Sequence, residues 1–229
     1  LTGQVNTESM RSDDEIVGLH QKLHISFAYI SGRSEFIILN SNYRIDYRSK
    51  TNWHGFFITK YDRAFEKSQD DFANRGFGHV RFVNLIQPKI YIEGFLQKEF
   101  NHFLDLKNRE LIGGGFRFNP FNQFFFGIGA MNEMEAYEYF QEQNFVKSTN
   151  YINYTINPFE GVAIQNILYY QFKTNDISHY RILWDGQLSV QGSDWLSFHI
   201  NLQYRYDMSN LNPSGDSYFE LTNGLGFRF

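Results

Sequence analysis

Cysteine is absent from this 229-residue chain. Disulfides therefore play no part in its stability, and thiolate metal sites are excluded. Proline is scarce, at 4 residues, so little interrupts long runs of backbone pairing. No stretch approaches the roughly 18 consecutive apolar residues that a spanning helix needs. The longest apolar runs are short, as at Phe124–Met131. An excess of positive charge is also missing. Lys and Arg number 21 against 25 Asp and Glu, a net charge of −4, which argues against a nucleic-acid surface. A cationic leader with an apolar core is not seen at the start. For an exported protein, the numbering is then expected to begin after signal-peptide removal.

What the chain has instead is aromatic side chains, 19% of all residues, with 25 Phe and 15 Tyr beside 18 Gly. That mixture suits long strands with glycine at bends, and suits helices poorly. The dominant apolar period is two. In Trp195–Tyr206, Leu196, Phe198, Ile200, Leu202, Tyr204 and Tyr206 line one side, and Ser197, His199, Asn201, Gln203 and Arg205 the other. Val17–Tyr29 and Phe36–Tyr47 alternate likewise, as do Ala163–Lys173 and Arg181–Val190. The mean hydropathy of −0.46 would class the chain as soluble. Barrel strands escape such averages because only every second residue meets lipid.

The alternation predicts strands over 1–9, 16–29, 34–47, 52–63, 74–86, 88–101, 105–118, 122–137, 147–157, 160–173, 179–190, 194–207 and 216–229. That list is odd in number, whereas bacterial single-chain barrels carry an even number of strands. The weakest runs are the first and 52–63, and about 12 strands are expected. Short turns are expected at Gln87–Pro88, Asn119–Phe121 and Asn157–Phe159. Longer polar connections are expected at Ser9–Glu15, Ala64–Asp71, Gln141–Ser148 and Met208–Ser217. No linker or composition shift divides the chain, so residues 1–229 read as one domain.

Alternation alone does not say which face is inside. A water-soluble sandwich buries the apolar face, and a membrane barrel inverts this. Charges beside small residues on the polar face, and Phe, Tyr and Leu on the other, favour inversion. Aromatics near strand ends (Tyr43 and Tyr47, Tyr204 and Tyr206, Phe227 and Phe229) match an interfacial girdle. The fold expected is all-β: a single transmembrane antiparallel up-and-down barrel whose last strand closes the sheet. In that strand Phe219, Leu221, Leu225, Phe227 and Phe229 share one face, against Tyr218, Glu220, Thr222, Gly224, Gly226 and Arg228. Termini fray unless tied down, and closure of a barrel would tie this one. The pattern Thr222, Gly224, Phe227, Phe229 resembles the C-terminal signal through which the barrel-assembly machinery recognises outer-membrane proteins.

Two stretches carry a further resemblance. Gly94–Phe118 pairs a strand holding Gln97 and Glu99 with one holding Leu106, Arg109, Gly113 and Gly115. Tyr204–Phe229 gives Tyr-Asp, a Pro-containing loop, Asp216 and the closing strand. Together these resemble domain-of-unknown-function family 481, outer-membrane barrels often described as salt-induced outer-membrane proteins. The resemblance covers most of the chain and is loosest in the N-terminal third, where Leu1–Ser9 only echoes the family's first strand. It implies an integral protein of the bacterial outer membrane with no established reaction. The partners implied are outer-membrane lipid, lipopolysaccharide and, during biogenesis, the assembly machinery.

The candidate chemistry is mostly ionic. Glu93, Gln97, Glu99 and Asn101 point one way on their strand, and Lys107, Arg109 and Arg117 sit on the next. A carboxylate in a narrow lumen needs a partner because desolvation makes an unpaired charge costly. Glu93, Glu99, Lys107, Arg109 and Arg117 are therefore expected to form a lumenal ion-pair network, with a substrate or proton path as the alternative. Ser197 and His199 suggest hydrolase chemistry, but both lie on the polar face and no orienting third group is identifiable. The seven histidines are scattered. His20 and His24, though on one face, stand roughly 13 Å apart, so no metal site is expected, nor any cofactor. Gly113–Phe116 and Gly127–Met131 lie inside strand patterns rather than ahead of a helix, and are not phosphate loops.

The function expected is that of a non-enzymatic barrel with a polar, largely side-chain-filled lumen, in a structural or small-solute role. The alternatives are an accessory subunit of a larger outer-membrane complex for export, assembly or uptake, and a lipid-modifying enzyme.

Overall fold

The computed structural model describes residues 7, 8, 11, 17–32, 35–66, 71–102, 105–139, 141–208 and 216–227. They form twelve strands: β1 (Gly18–Ser31), β2 (Glu35–Arg48), β3 (Trp53–Glu66), β4 (Asp71–Gln87), β5 (Ile90–Asn101), β6 (Leu106–Phe121), β7 (Phe124–Tyr137), β8 (Gln143–Phe159), β9 (Val162–Lys173), β10 (Asp176–Ser193), β11 (Leu196–Asp207) and β12 (Asp216–Phe227). All belong to one sheet in chain order, the up-and-down arrangement expected. The run at 52–63 is a strand. Of the run at 1–9, Thr7 and Glu8 lie in a bend, and the rest falls outside the described residues.

Connection lengths alternate with strand parity. Those after β4, β6, β8 and β10 are 2 residues each, whereas those after β3, β5, β7 and β11 take 4, 4, 5 and 8 residues. The connections after β2 and β9, of 4 and 2 residues, depart from the rule. The tight turns have a backbone cause. Lys89, Gln123 and Gly161, each second in its turn, hold positive φ of 69°, 60° and 75°. Pro88 presets φ one residue earlier. Only Gly161 occupies that region without a Cβ penalty, and the carbonyl of Gln191 stands 2.8 Å from where a Cβ would be.

The Asn-Pro-Phe tripeptides are not turns, as expected from sequence, but the last residues of β6 and β8. Pro120 and Pro158 are tolerated there because strand ends need not donate every N–H. Gln143–Ser148, expected in a polar connection, already belongs to β8. Lys147 is the reason: its side chain is buried, so the polar letter marked the inner face rather than a loop.

The chain packs as two compact units, residues 14–115 with 131–146, and residues 1–13 with 116–130 and 147–229. In each, the buried face is the polar one. On β5, Glu93, Gln97 and Glu99 are buried, while Leu96 is 51% exposed. On β7, Glu133 and Glu135 are buried and Ile128 is 55% exposed. In the unit holding β9–β12, a small apolar cluster of Tyr151, Ile167, Tyr169 and Leu183 is enclosed. Leu19, Leu23, Ile25 and Phe27 of β1 stand in the open.

Candidate functional site

The polar face of the unit formed by residues 14–115 and 131–146 carries a continuous hydrogen-bonded chain. Strand pairing sets His79 opposite Gln97 and Phe95 opposite Arg81, because β4 and β5 run antiparallel across the Pro88–Lys89 turn. Arg81 donates through Nη1 to Glu93 at 3.1 Å and through Nε to His79 Nε2 at 3.4 Å. His79 Nδ1 meets Gln97 Oε1 at 3.2 Å, and Gln97 donates to Glu99 at 3.3 Å. Arg109 donates to Glu99 at 2.8 Å and through Nε to Glu133 at 2.5 Å, with Glu135 at 3.3 Å. An Nε2 that accepts from a guanidinium leaves the imidazole proton on Nδ1, so the bonding partners select the neutral Nδ1–H tautomer. Rings sandwich the same histidine. Phe77 and Phe95 stack on it at 6.2 and 6.0 Å, and Arg81 lies over Phe95 at 5.2 Å.

Among the described residues, the five grouped from sequence have the following partners. Glu99 and Arg109 meet directly. Glu93 is served by Arg81. Lys107 shares the parity of Arg109, but it lies at the start of β6 and pairs with Glu138 at 3.1 Å, with both side chains about half exposed. Arg117 belongs to the other unit. In the cluster around Glu99 and Arg109, His79, Arg81, Glu133 and Glu135 were missed. Their signal was present in the alternation, as His79-x-Arg81 and Glu133-x-Glu135, but it has meaning only once the cross-strand partner is known.

In the unit of residues 1–13, 116–130 and 147–229, Arg117 is the centre. Its guanidinium lies over the Phe125 ring at 4.0 Å, donates to the Tyr151 hydroxyl at 3.1 Å and pairs with Glu8. Glu8 is buried. Its backbone N–H donates to the Tyr169 hydroxyl at 3.0 Å, and its carboxylate accepts from Arg11 at 2.7 Å. Thr7 and Tyr169 share a hydrogen bond at 3.1 Å. Thr7 and Glu8 are thus anchored on β6 and β9, contacts that a reading of Leu1–Ser9 as a strand does not anticipate.

His199 lies between two hydroxyls, with Ser189 Oγ at 3.0 Å from Nδ1 and Ser197 Oγ at 3.1 Å from Nε2. Where a hydrolytic triad places a carboxylate to stabilise the imidazolium, this arrangement places a neutral hydroxyl. Among the described residues no group of three or more His, Cys, Asp or Glu side chains could hold a metal ion. At the C-terminus, Thr222 and Gly224 share the face of β12 that Asn201 and His199 present on β11. Phe227 is exposed and stacks on Trp195 at 6.3 Å. Phe229 lies outside the described residues.

The family model described as "Protein of unknown function, DUF481" matches residues 23–229. No curated protein matches the chain. Among solved structures, the chain is similar to the NanC porin, at 11% identity and a TM-score of 0.49, covering 92% of this chain and 99% of that one. It is similar to the KdgM porin at 11% identity and a TM-score of 0.46, with coverage of 92% and 99%. It is also similar to the translocator domain of the autotransporter NalP from Neisseria meningitidis, at 9% identity and a TM-score of 0.44, covering 95% and 90%.

Proposed function

The chain belongs to the DUF481 family of proteins of unknown function, and we propose that it is an integral outer-membrane β-barrel with a non-enzymatic, structural or small-solute role. The observation that carries this reading is the inversion of its faces. Arg109 and Glu133 are at most 1% exposed, while Ile112 and Ile128, on the same two strands, are 58% and 55% exposed. In water that arrangement costs twice, once for desolvated charge and once for hydrated hydrocarbon. In lipid the second cost becomes a gain.

Two aromatic bands support the same reading. Beside the short turns stand Phe121, Phe159, Trp195 and Phe227, all exposed. At the other ends of β9, β10 and β11, Phe172, Tyr170, Tyr180 and Tyr206 follow one another as tilted ring pairs at 5.5 to 5.9 Å. Amphipathic rings settle at the headgroup level. From Leu196 to Tyr206 a strand rises roughly 33 Å. A tilt of about 40° brings this to roughly 25 Å, the height of a barrel's apolar band.

In this proposal β1 and β12 pair to close the sheet, the connections after even-numbered strands face the periplasm and those after odd-numbered strands face outward. Thr222, Gly224, Phe227 and Phe229 serve as the assembly signal, and the ionic clusters brace the lumen. Electrophoresis in SDS tests it. The folded chain, extracted only with detergent, should migrate differently before and after boiling. Identical migration, with solubility in plain buffer, would overturn the proposal.

A further inference from the structure

Strands β9 to β12 present a surface unlike the ionic clusters. Their registers set Gln165, Gln187, Asn201 and Thr222 in one row. Ile167, Asp185, Gln203 and Glu220 form the next. Adjacent strands lie about 4.8 Å apart, so each row spans roughly 14 Å. The two rows bound an open cavity of about 220 Å³.

The carboxylates of the second row already accept hydrogen bonds. Gln203 donates to Asp185 within the row at 2.8 Å, and the hydroxyl of Tyr218, from the next row, donates to Glu220. The first row is not: the side chains of Gln165, Gln187, Asn201 and Thr222 make no hydrogen bond among the described residues. Three amides and a hydroxyl therefore hold both donors and acceptors toward one cavity. Neither row contains Lys or Arg; Arg205 stands one row beyond Gln203.

We infer that this surface binds a neutral polyhydroxylated solute, a mono- or disaccharide. Sugar hydroxyls donate and accept at once, which is what a row of amides answers. Asp185 and Glu220 accept from hydroxyls and repel anions. An organic cation would want aromatic faces, and neither row has one. The inference rests on the reading of the polar face as a lumen wall.

The test uses the full chain folded in detergent, with binding measured by calorimetry for glucose, glucuronate and choline. Glucose should bind. Glucuronate should bind at least about tenfold more weakly, because Asp185 and Glu220 oppose its charge. The double variant Gln187→Leu/Asn201→Leu should weaken glucose about tenfold or more, since its partners are lost while the SDS mobility shift is kept. A chain that keeps that shift yet binds no glucose overturns the inference and leaves the barrel standing. So does tighter binding of glucuronate or choline, or equal glucose binding by the double variant. A chain without the shift overturns the barrel reading, and this inference with it.

Discussion

Arg109 holds Glu133 through Nε at 2.5 Å, and the two are among the most deeply buried side chains of the protein. The contact joins β6 to β7 beneath an exposed apolar surface. Glu99 and Glu135 complete the shell around the same guanidinium. Removing one charge of a buried pair leaves the others uncompensated, typically at a cost of about 3–5 kcal/mol. Arg109→Met should therefore lower the urea midpoint of the folded, SDS-resistant form markedly. Lys107→Met should leave it nearly unchanged, because half-exposed pairs contribute about 0–1 kcal/mol. Equal effects of the two variants would contradict the separation of Lys107 from the cluster.

The anchoring of Glu8 gives a local prediction. Glu8→Gln removes the charge that Arg117 and Arg11 share. Proteolysis of the N-terminal segment should then accelerate about tenfold or more, as the loss of a charge-assisted hydrogen bond of about 1.5–3 kcal/mol implies. The remainder of the chain should stay resistant. Unchanged cleavage would show that Glu8 does not hold the segment.

At the turn between β8 and β9, Gly161 combines positive φ with a carbonyl 2.8 Å from any Cβ. Gly161→Ala should cost roughly 1–3 kcal/mol, read as a lowered thermal midpoint. Glu160→Ala, one residue earlier, should cost far less.

The hairpin joining β9 and β10 contains a titrating element. The 18 residues of β10 exceed the roughly 9–11 that cross a bilayer, and Asp176 follows the turn, beyond the band of Tyr170 and Tyr180 rings, so it is read as lying outside the spanning part. The Ser178 hydroxyl, bonded to the Asp176 carboxylate at 2.6 Å, holds its pKa below the ordinary aspartate range, with help from the Ser178 N–H and from His179. A depressed folded pKa means that the stabilisation is present above the unfolded value of about 3.9. It is lost as pH falls through that value toward the lower folded one. Amide exchange at Ser178 should rise over that acidic interval, and Asp176→Asn should abolish the dependence. A dependence that survives the substitution would refute the assignment.

Ser197 and His199 allow a test of the enzymatic alternative. With Ser189 in the orienting position rather than a carboxylate, Ser197→Ala should leave any lipid-ester hydrolysis by purified chain at the background of the parent. A loss of activity specific to this variant would reverse the non-enzymatic reading.

Much of the strand plan could be read from letters alone, because a period of two is a local property. Leu196, Phe198, Ile200 and Leu202 alternate with Ser197, His199 and Asn201 whatever their neighbours do. Ion-pair partners are not local. Whether Arg109 meets Glu99 or Glu93 depends on register across two strands and on side-chain reach, and neither is encoded in spacing along one strand. The same holds for Glu8, whose importance lies in Arg117 and Tyr169. The two turns expected at Asn119–Phe121 and Asn157–Phe159 fall two or three residues later, because Pro120 and Pro158 suggest breaks where β6 and β8 continue.

The pairing of Glu8 with Arg117 joins positions 109 apart in sequence, and that of Glu8 with Tyr169 positions 161 apart. The hairpins, by contrast, join residues across turns of 2 to 8. Closing so long a loop costs entropy that nothing repays until β6 and β9 are in place. The Glu8 contacts are therefore expected to form after those strands have paired, so protection of the Glu8 amide from exchange would mark that pairing as complete.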